Sequence, residues 1–142
     1  MQIRKFLVLL VLPAALACGK TEPAPQAEAT SAATASATED SAEDKAIMAR
    51  IEAKDVFKKK CLVCHGESGA GDGPGSAALE PKPRNFGDPA WQDGVTDEQV
   101  SKTILGGGAA VGKSPIMPGN PELKSKPEVV KELVAIIRGF KK

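Results

Sequence analysis

The stretch Cys61-Leu62-Val63-Cys64-His65 decides the fold, because it places two thiols and an imidazole within five residues of each other. The pattern C-x-x-C-H is the attachment signature of c-type haem. Two thiols three positions apart can add to the two vinyl groups at one porphyrin edge, and the next residue is then carried under the ring to ligate iron. We therefore predict one covalent haem c, bonded through Cys61 and Cys64, with His65 as an iron ligand.

A C-x-x-C pair also occurs in structural zinc sites and in thiol redox motifs. A closed zinc site needs four ligands, usually Cys and His, but His65 is the single histidine and the third cysteine, Cys18, lies far away along the chain. A thioredoxin-like motif begins a helix that follows a strand, whereas this one follows an alanine-rich helix and enters a glycine-rich loop. Ligand count and context therefore favour haem.

The N-terminus is typical of an exported protein. Arg4 and Lys5 precede an apolar run over residues 6–17 that is too short to span a bilayer, so we interpret residues 1–17 as a signal peptide. The run ends in Ala-Leu-Ala before Cys18, which resembles a bacterial lipobox and predicts lipidation of Cys18. We expect a lipid-anchored protein on the periplasmic side of a bacterial membrane, with a soluble periplasmic protein as the alternative.

Residues 18–42 are predicted to form a disordered linker after the lipidated cysteine. Ala, Ser, Thr, Pro and Glu dominate this stretch, and such a composition cannot offset its ordering entropy by burial. The folded domain is predicted over residues 43–142, which is enough for one small core. A net charge of +1 with interspersed acids and bases excludes a nucleic-acid surface, and we expect a monomer.

The domain has the pattern of an all-α fold with about three to four helices and long loops. Small and apolar residues at three- and four-residue intervals predict a helix that runs to the cysteine pair, with Ala49 and Ala53 allowing another helix to cross closely. Gly, Pro, Asn and Asp are dense over residues 61–94, which predicts a long loop with Leu79 and Phe86 as apolar anchors. Loops of this length are typical of a chain that wraps a cofactor.

Two further helices are predicted from capping boxes at residues 96–99 and 125–128. The helix that starts at residues 96–99 should end at the three glycines 106–108. The last helix carries a broad apolar stripe for the core, formed by Val129, Val130, Leu133, Val134, Ile136, Ile137 and Phe140.

Met117 is the candidate for the second axial ligand. With one histidine, the iron cannot have two imidazole ligands. Met1 is removed with the signal peptide, and Met48 lies on the predicted first helix, where we interpret it as core filler. Prolines on both sides of Met117 preclude helix and favour an extended strap with a free thioether. Sulfur ligation would raise the potential and close the iron to dioxygen and peroxide.

Together these features resemble the class I monohaem cytochromes c. The resemblance runs from about residue 45 to residue 139 and includes the Gly- and Pro-rich segments that follow His65. It implies the small cytochrome c fold around one covalent haem. In such proteins a proline-associated carbonyl accepts the proton of the proximal imidazole, and Pro83 is our first choice for it, with Pro74 and Pro81 left open. The chain has Ala53 where many relatives have glycine.

Several polar residues have two possible roles. Asn85 and Trp91 are interpreted either as hydrogen-bonding groups for the haem propionates or the methionine region, or as loop structure. A set of basic residues could steer an acidic redox partner, although a solvated surface is the simpler interpretation: Lys58, Lys59, Lys60, Lys82, Arg84 and Lys113.

The sequence thus predicts a one-electron carrier between a donor and an acceptor redox protein, and not an enzyme. One alternative is a haem-containing subunit of a larger oxidase or dehydrogenase complex, although a flexible linker favours a mobile module. Another is a small peroxidase or gas-binding haem protein, which would need an open sixth position and usually a distal acid-base residue. No second histidine is available for that role.

Overall fold

The computed structural model describes residues 30–142, with side chains from residue 41 onward. The predicted signal peptide, Cys18 and the linker up to residue 29 lie outside the described residues. The helices of the described part are α1 (Thr30–Val56), α2 (Leu62–His65), α3 (Pro89–Gly94), α4 (Asp97–Gly106) and α5 (Pro127–Arg138), and this part contains no strand. The predicted all-α class is confirmed. No helix over residues 30–142 has the length and apolarity needed to cross a membrane.

Helix α1 begins earlier than the sequence predicted. We expected the folded region to start near residue 43, whereas α1 begins at Thr30, so residues 30–42 of the predicted linker are helical. Their alanine content explains the helix, because alanine has the highest intrinsic helix propensity. Side chains from Ser41 to Met48 are exposed, and contact with the core begins at Ala49. The packed part of the described residues therefore starts at Ala49.

The core forms where α1 packs against α5. Ala49 and Ala53 are buried there, Ala53 completely, and their small side chains let the two helices approach closely. Alanine at position 53, where many relatives have glycine, therefore still allows α1 and α5 to pack closely. The predicted stripe of α5 is confirmed, since Val129, Val130, Leu133, Val134 and Ile137 are buried while Ile136 and Phe140 are partly buried.

Met48 is not part of this core. Its side chain is 65% exposed, beside the exposed Ile47 and Ile51, so the interpretation as core filler is wrong. The buried face of α1 is centred on Ala49 and Ala53. Met48 precedes Ala49 by one residue and is therefore turned about 100° around the helix axis, away from α5.

One of the two predicted capping boxes forms. In α4 the backbone N–H of Gln99 donates to Thr96 Oγ1 at 3.2 Å, and the Thr96 N–H donates to Gln99 Oε1 at 3.0 Å. The predicted cap at Ser125 is wrong, because α5 begins at Pro127 without a side-chain cap. The Ser125 hydroxyl instead donates to the carbonyl of Glu122 at 3.2 Å, within a preceding 3₁₀ turn.

The long loop that we predicted over residues 61–94 contains the short helix α3. Asp88 caps this helix, and its carboxylate accepts hydrogen bonds from the N–H groups of Ala90 at 3.0 Å and Trp91 at 3.4 Å. Pro89 occupies the first helical position. Asp followed by Pro is a signal for a helix start. We did not predict α3 because the surrounding residues are rich in Gly and Pro, which is typical of a loop.

Candidate haem site

The C-x-x-C-H motif lies where the first long helix ends. After α1 the chain continues through a π-helical turn (Phe57–Cys61) into α2, which carries Cys64 and His65. Both thiols are free and partly exposed, whereas His65 is only 7% exposed. The motif therefore places two free, partly exposed cysteines beside a buried imidazole, which is the arrangement that covalent attachment to a porphyrin edge needs.

Its surroundings keep His65 neutral and orient its ring. Burial lowers the pKa of His65 below its usual 6.5, and a hydrogen bond to the Arg84 carbonyl opposes this effect. His65 Nδ1 lies 3.3 Å from that carbonyl oxygen, which can only accept, so Nδ1 carries the proton. Nε2 of the neutral ring is then left as the metal-ligating nitrogen.

The carbonyl that meets His65 belongs to Arg84 and not to Pro83, our first choice, nor to Pro74 or Pro81. The Pro83 carbonyl is turned toward Gly71, where an added Cβ would collide with it and where φ is +80°. Of these two neighbouring carbonyls, that of Pro83 lies closer to Gly71, and that of Arg84 meets the imidazole. The prediction was therefore one residue early in the segment.

An aromatic stack also holds the His65 ring. The Phe86 ring lies parallel to it, with centroids 4.4 Å apart and an interplanar angle of 15°. Phe86 is buried and contacts Trp91 and Phe140 at centroid distances of 5.5 and 6.2 Å. Phe86 is thus an apolar anchor, as predicted, and Leu79 is partly buried. The stack on the imidazole was not predicted.

Met117 lies in a non-helical loop, as its flanking prolines predicted, and is partly buried. The loop is tied to the end of α4, because the Gly108 N–H donates to the Met117 carbonyl at 3.1 Å. Gly107 has φ +75°, and a Cβ there would lie 2.6 Å from the same carbonyl oxygen. Among the described residues, no hydrogen bond or ring contact joins Met117 to His65, so their pairing as ligands stays a prediction.

The donor set of this site suits covalent haem and does not suit zinc. Within residues 30–142 no group of three or more His, Cys, Asp or Glu side chains is placed to hold a metal ion. Burial raises the pKa of the Cys61 thiol to about 11, against the opposing effect of Lys60.

Asn85 and Trp91 have partners within the loop. Asn85 Oδ1 accepts from the Gly87 N–H at 2.8 Å and closes a local turn. The Trp91 ring lies 6.0 Å from the Arg84 guanidinium and stacks on Phe86. These contacts favour the loop-structure interpretation for both residues.

Several of the basic residues are also engaged locally. Lys59 pairs with Asp55 at 2.7 Å, and Lys60 pairs with Glu122, whose pKa it holds below the usual value. Lys82 Nζ donates to the carbonyl of Ala77 at 2.6 Å. These contacts favour a solvated, internally balanced surface over a dedicated steering patch.

From the sequence we predicted no role for Gln92, which lies near the site. Gln92 is 4% exposed and donates from its side chain to the Phe86 carbonyl at 2.7 Å. It lies in the six-residue helix α3. No motif or periodicity distinguishes a buried glutamine there from an exposed one.

Comparison with known proteins shows the family of the chain. The family described as "Cytochrome c" matches residues 51–140, and the chain therefore belongs to the cytochrome c family. A solved structure of "KustC0563 c-type cytochrome" is 34% identical, with a TM-score of 0.46, and the match covers 62% of this chain and 95% of that one. No curated protein sequence matches the chain. Family membership together with the C-x-x-C-H motif assigns a covalent haem c.

Proposed function

We propose that this protein carries single electrons between a donor and an acceptor redox protein on the exported side of a bacterial membrane. The observation that supports this function most directly is the buried His65. Its Nδ1 is hydrogen-bonded to the Arg84 carbonyl, so Nε2 remains to bind iron. Haem c supplies a one-electron ferrous/ferric couple when bound, while the protein supplies ligands, burial and docking. Membership of the cytochrome c family supports this function.

Met117 is proposed as the second axial ligand. Its loop is fixed to α4 through the Gly108 N–H, and its side chain is partly buried. A thioether in this position would stabilise ferrous iron and raise the potential. It would also leave no vacant position for dioxygen or peroxide, which supports an electron carrier over a peroxidase or gas sensor.

The N-terminal region is proposed to anchor the domain through lipid on Cys18. Two acyl signals or more give stable anchoring, since each buried methylene contributes about 0.8 kcal/mol. Helix α1 would then act as a spacer, because the stretch from Thr30 to Ala49 rises about 28 Å before the helix reaches the core. This arrangement would keep the domain attached to the membrane but at a distance from its surface.

Substitution of Met117 tests the ligand assignment. Met117→Ala should lower the midpoint potential and let the reduced protein bind carbon monoxide rapidly, because the thioether is lost. Met48→Ala is the matched control, since Met48 is 65% exposed on α1, and it should leave both properties unchanged. The parent protein should be low-spin in both oxidation states.

Two results would overturn this assignment. The first is an unchanged potential in Met117→Ala. The second is rapid carbon monoxide binding by the reduced parent protein at neutral pH, which would favour the gas-binding or peroxidase alternative.

A further inference from the structure

A polar network centred on the buried Gln92 ends on the backbone of Phe86, whose ring stacks on His65. Gln92 Nε2 donates to the Phe86 carbonyl at 2.7 Å and to the Ile137 carbonyl at 2.9 Å. Gln92 Oε1 accepts from Arg138 Nη1 at 2.9 Å. Because a carbonyl can only accept and a guanidinium can only donate, this amide has a single satisfying orientation. Gln92 therefore links α3 to α5 in a defined geometry.

Arg138 completes the network from the end of α5. Its Nη1 also donates to the Gln92 backbone carbonyl at 2.7 Å, and its Nη2 donates to the Val95 carbonyl at 2.6 Å. Its Nε donates to Asp97 Oδ1 at 2.8 Å, at the start of α4. All three guanidinium nitrogens are thus engaged, and the side chain is 28% exposed. Arg138 fixes Gln92 and joins three helices.

The network ends on the segment that contacts the imidazole. The Arg84 carbonyl lies 3.3 Å from His65 Nδ1, and Phe86, two residues later, stacks on the same ring. The Phe86 N–H donates to the Gly69 carbonyl at 2.7 Å, while its own carbonyl accepts from Gln92. Gln92 therefore holds the far end of the short segment over residues 84–86, whose near end binds His65.

We propose that Gln92, locked by Arg138, is a positioning residue for the proximal iron ligand. It fixes the 84–86 segment so that the Arg84 carbonyl accepts the Nδ1 proton of His65. The strength of that hydrogen bond tunes how strongly the imidazole donates to iron, and a stronger bond favours the ferric state. This inference rests on the proposed function, because it concerns the haem-bearing protein.

Gln92→Leu in the haem-loaded protein tests the proposal. Leucine removes the Gln92 donor of the Phe86 carbonyl and leaves the Ile137 carbonyl with the Phe140 N–H as donor, so the 84–86 segment should loosen. We expect the midpoint potential to rise and the His65 Nδ1 proton to exchange about tenfold faster by NMR. Arg138→Lys keeps the charge but not the three-nitrogen fork, and it should shift both readouts in the same direction by less.

Two matched variants separate positioning from general stability and from charge. Val129→Ala removes buried volume on α5 without touching the network, and it should leave the potential and the proton exchange unchanged. Asp97→Asn alters the exposed end of the network and should have a small effect, because the Asp97 side chain is 65% exposed.

The proposal fails if Gln92→Leu leaves both readouts unchanged, or if Val129→Ala moves them equally. If Gln92→Leu does not fold, Arg138→Lys decides the question by the same two readouts. These outcomes are read in a parent protein that carries haem and excludes carbon monoxide. A parent protein without those properties contradicts the proposed function instead.

Discussion

The two ring nitrogens of His65 have different surroundings, and this difference prepares the residue for iron. Nδ1 is bound by the Arg84 carbonyl, so it holds the proton and restricts rotation of the ring. The parallel Phe86 ring restricts it further. Burial also lowers the pKa of His65, so the neutral, ligating form dominates at neutral pH. The backbone around His65 therefore determines which nitrogen is available.

Gly71 is the residue at which this backbone geometry can be tested. Its φ of +80° and its contact with the Pro83 carbonyl leave no room for a methyl group, and its N–H donates to the His65 carbonyl. Gly71→Ala should lower the free energy of unfolding by roughly 1–3 kcal/mol, measured by denaturant titration of the haem protein.

Gly94→Ala is the matched control for Gly71→Ala. No atom lies within 4 Å of a Cβ added at Gly94, and its backbone is not in the left-handed region. We expect a change within about 0.5 kcal/mol. Equal losses in the two variants would contradict the assigned role of Gly71.

At the scale of elements, α4 and α5 begin in different ways although their sequences look alike. Thr96 and Gln99 exchange two hydrogen bonds at the start of α4. Ser125 does not cap α5, since its hydroxyl is used by the preceding turn. A capping box satisfies N–H groups that otherwise have no partner within the helix. Only α4 should therefore depend on its cap.

Alanine substitution distinguishes the two helix starts. Thr96→Ala should lower the free energy of unfolding by about 1 kcal/mol, because a backbone N–H loses its acceptor. Ser125→Ala should change it by less than about 0.5 kcal/mol. Thermal or denaturant unfolding of both variants measures the difference, and a larger loss in Ser125→Ala would show that the hydroxyl caps α5 after all.

These elements also show which parts of the structure a sequence can predict. The stripe of α5 and the box at Thr96 are local patterns, and both were predicted. The Ser125 hydroxyl is used by the 3₁₀ turn over Pro121–Ser125, and the capping-box pattern does not distinguish this use from a cap on α5. Likewise, the carbonyl of Arg84, and not that of Pro83, meets His65 because of how the backbone turns in this loop, which no side-chain pattern encodes.

At the scale of the whole molecule, helices hold the loop that contacts the proposed ligand His65 and the loop that carries the proposed ligand Met117. The loop after α2 is tied to the motif, since the Gly71 N–H donates to the His65 carbonyl at 2.9 Å. The loop after α4 is tied at Gly108, whose N–H donates to the Met117 carbonyl. The packing of α1 against α5 supplies the core that fixes both helix ends. The positions of both loops therefore follow from where the helices end.

The central claim is that one haem is bonded to Cys61 and Cys64 above His65. Mass spectrometry of protein from a host competent in cytochrome maturation tests it most directly. We predict one haem mass on the peptide that contains residues 61–65, and the loss of this mass in a Cys61→Ala, Cys64→Ala double variant. A colourless parent polypeptide without the mass of haem would contradict the account.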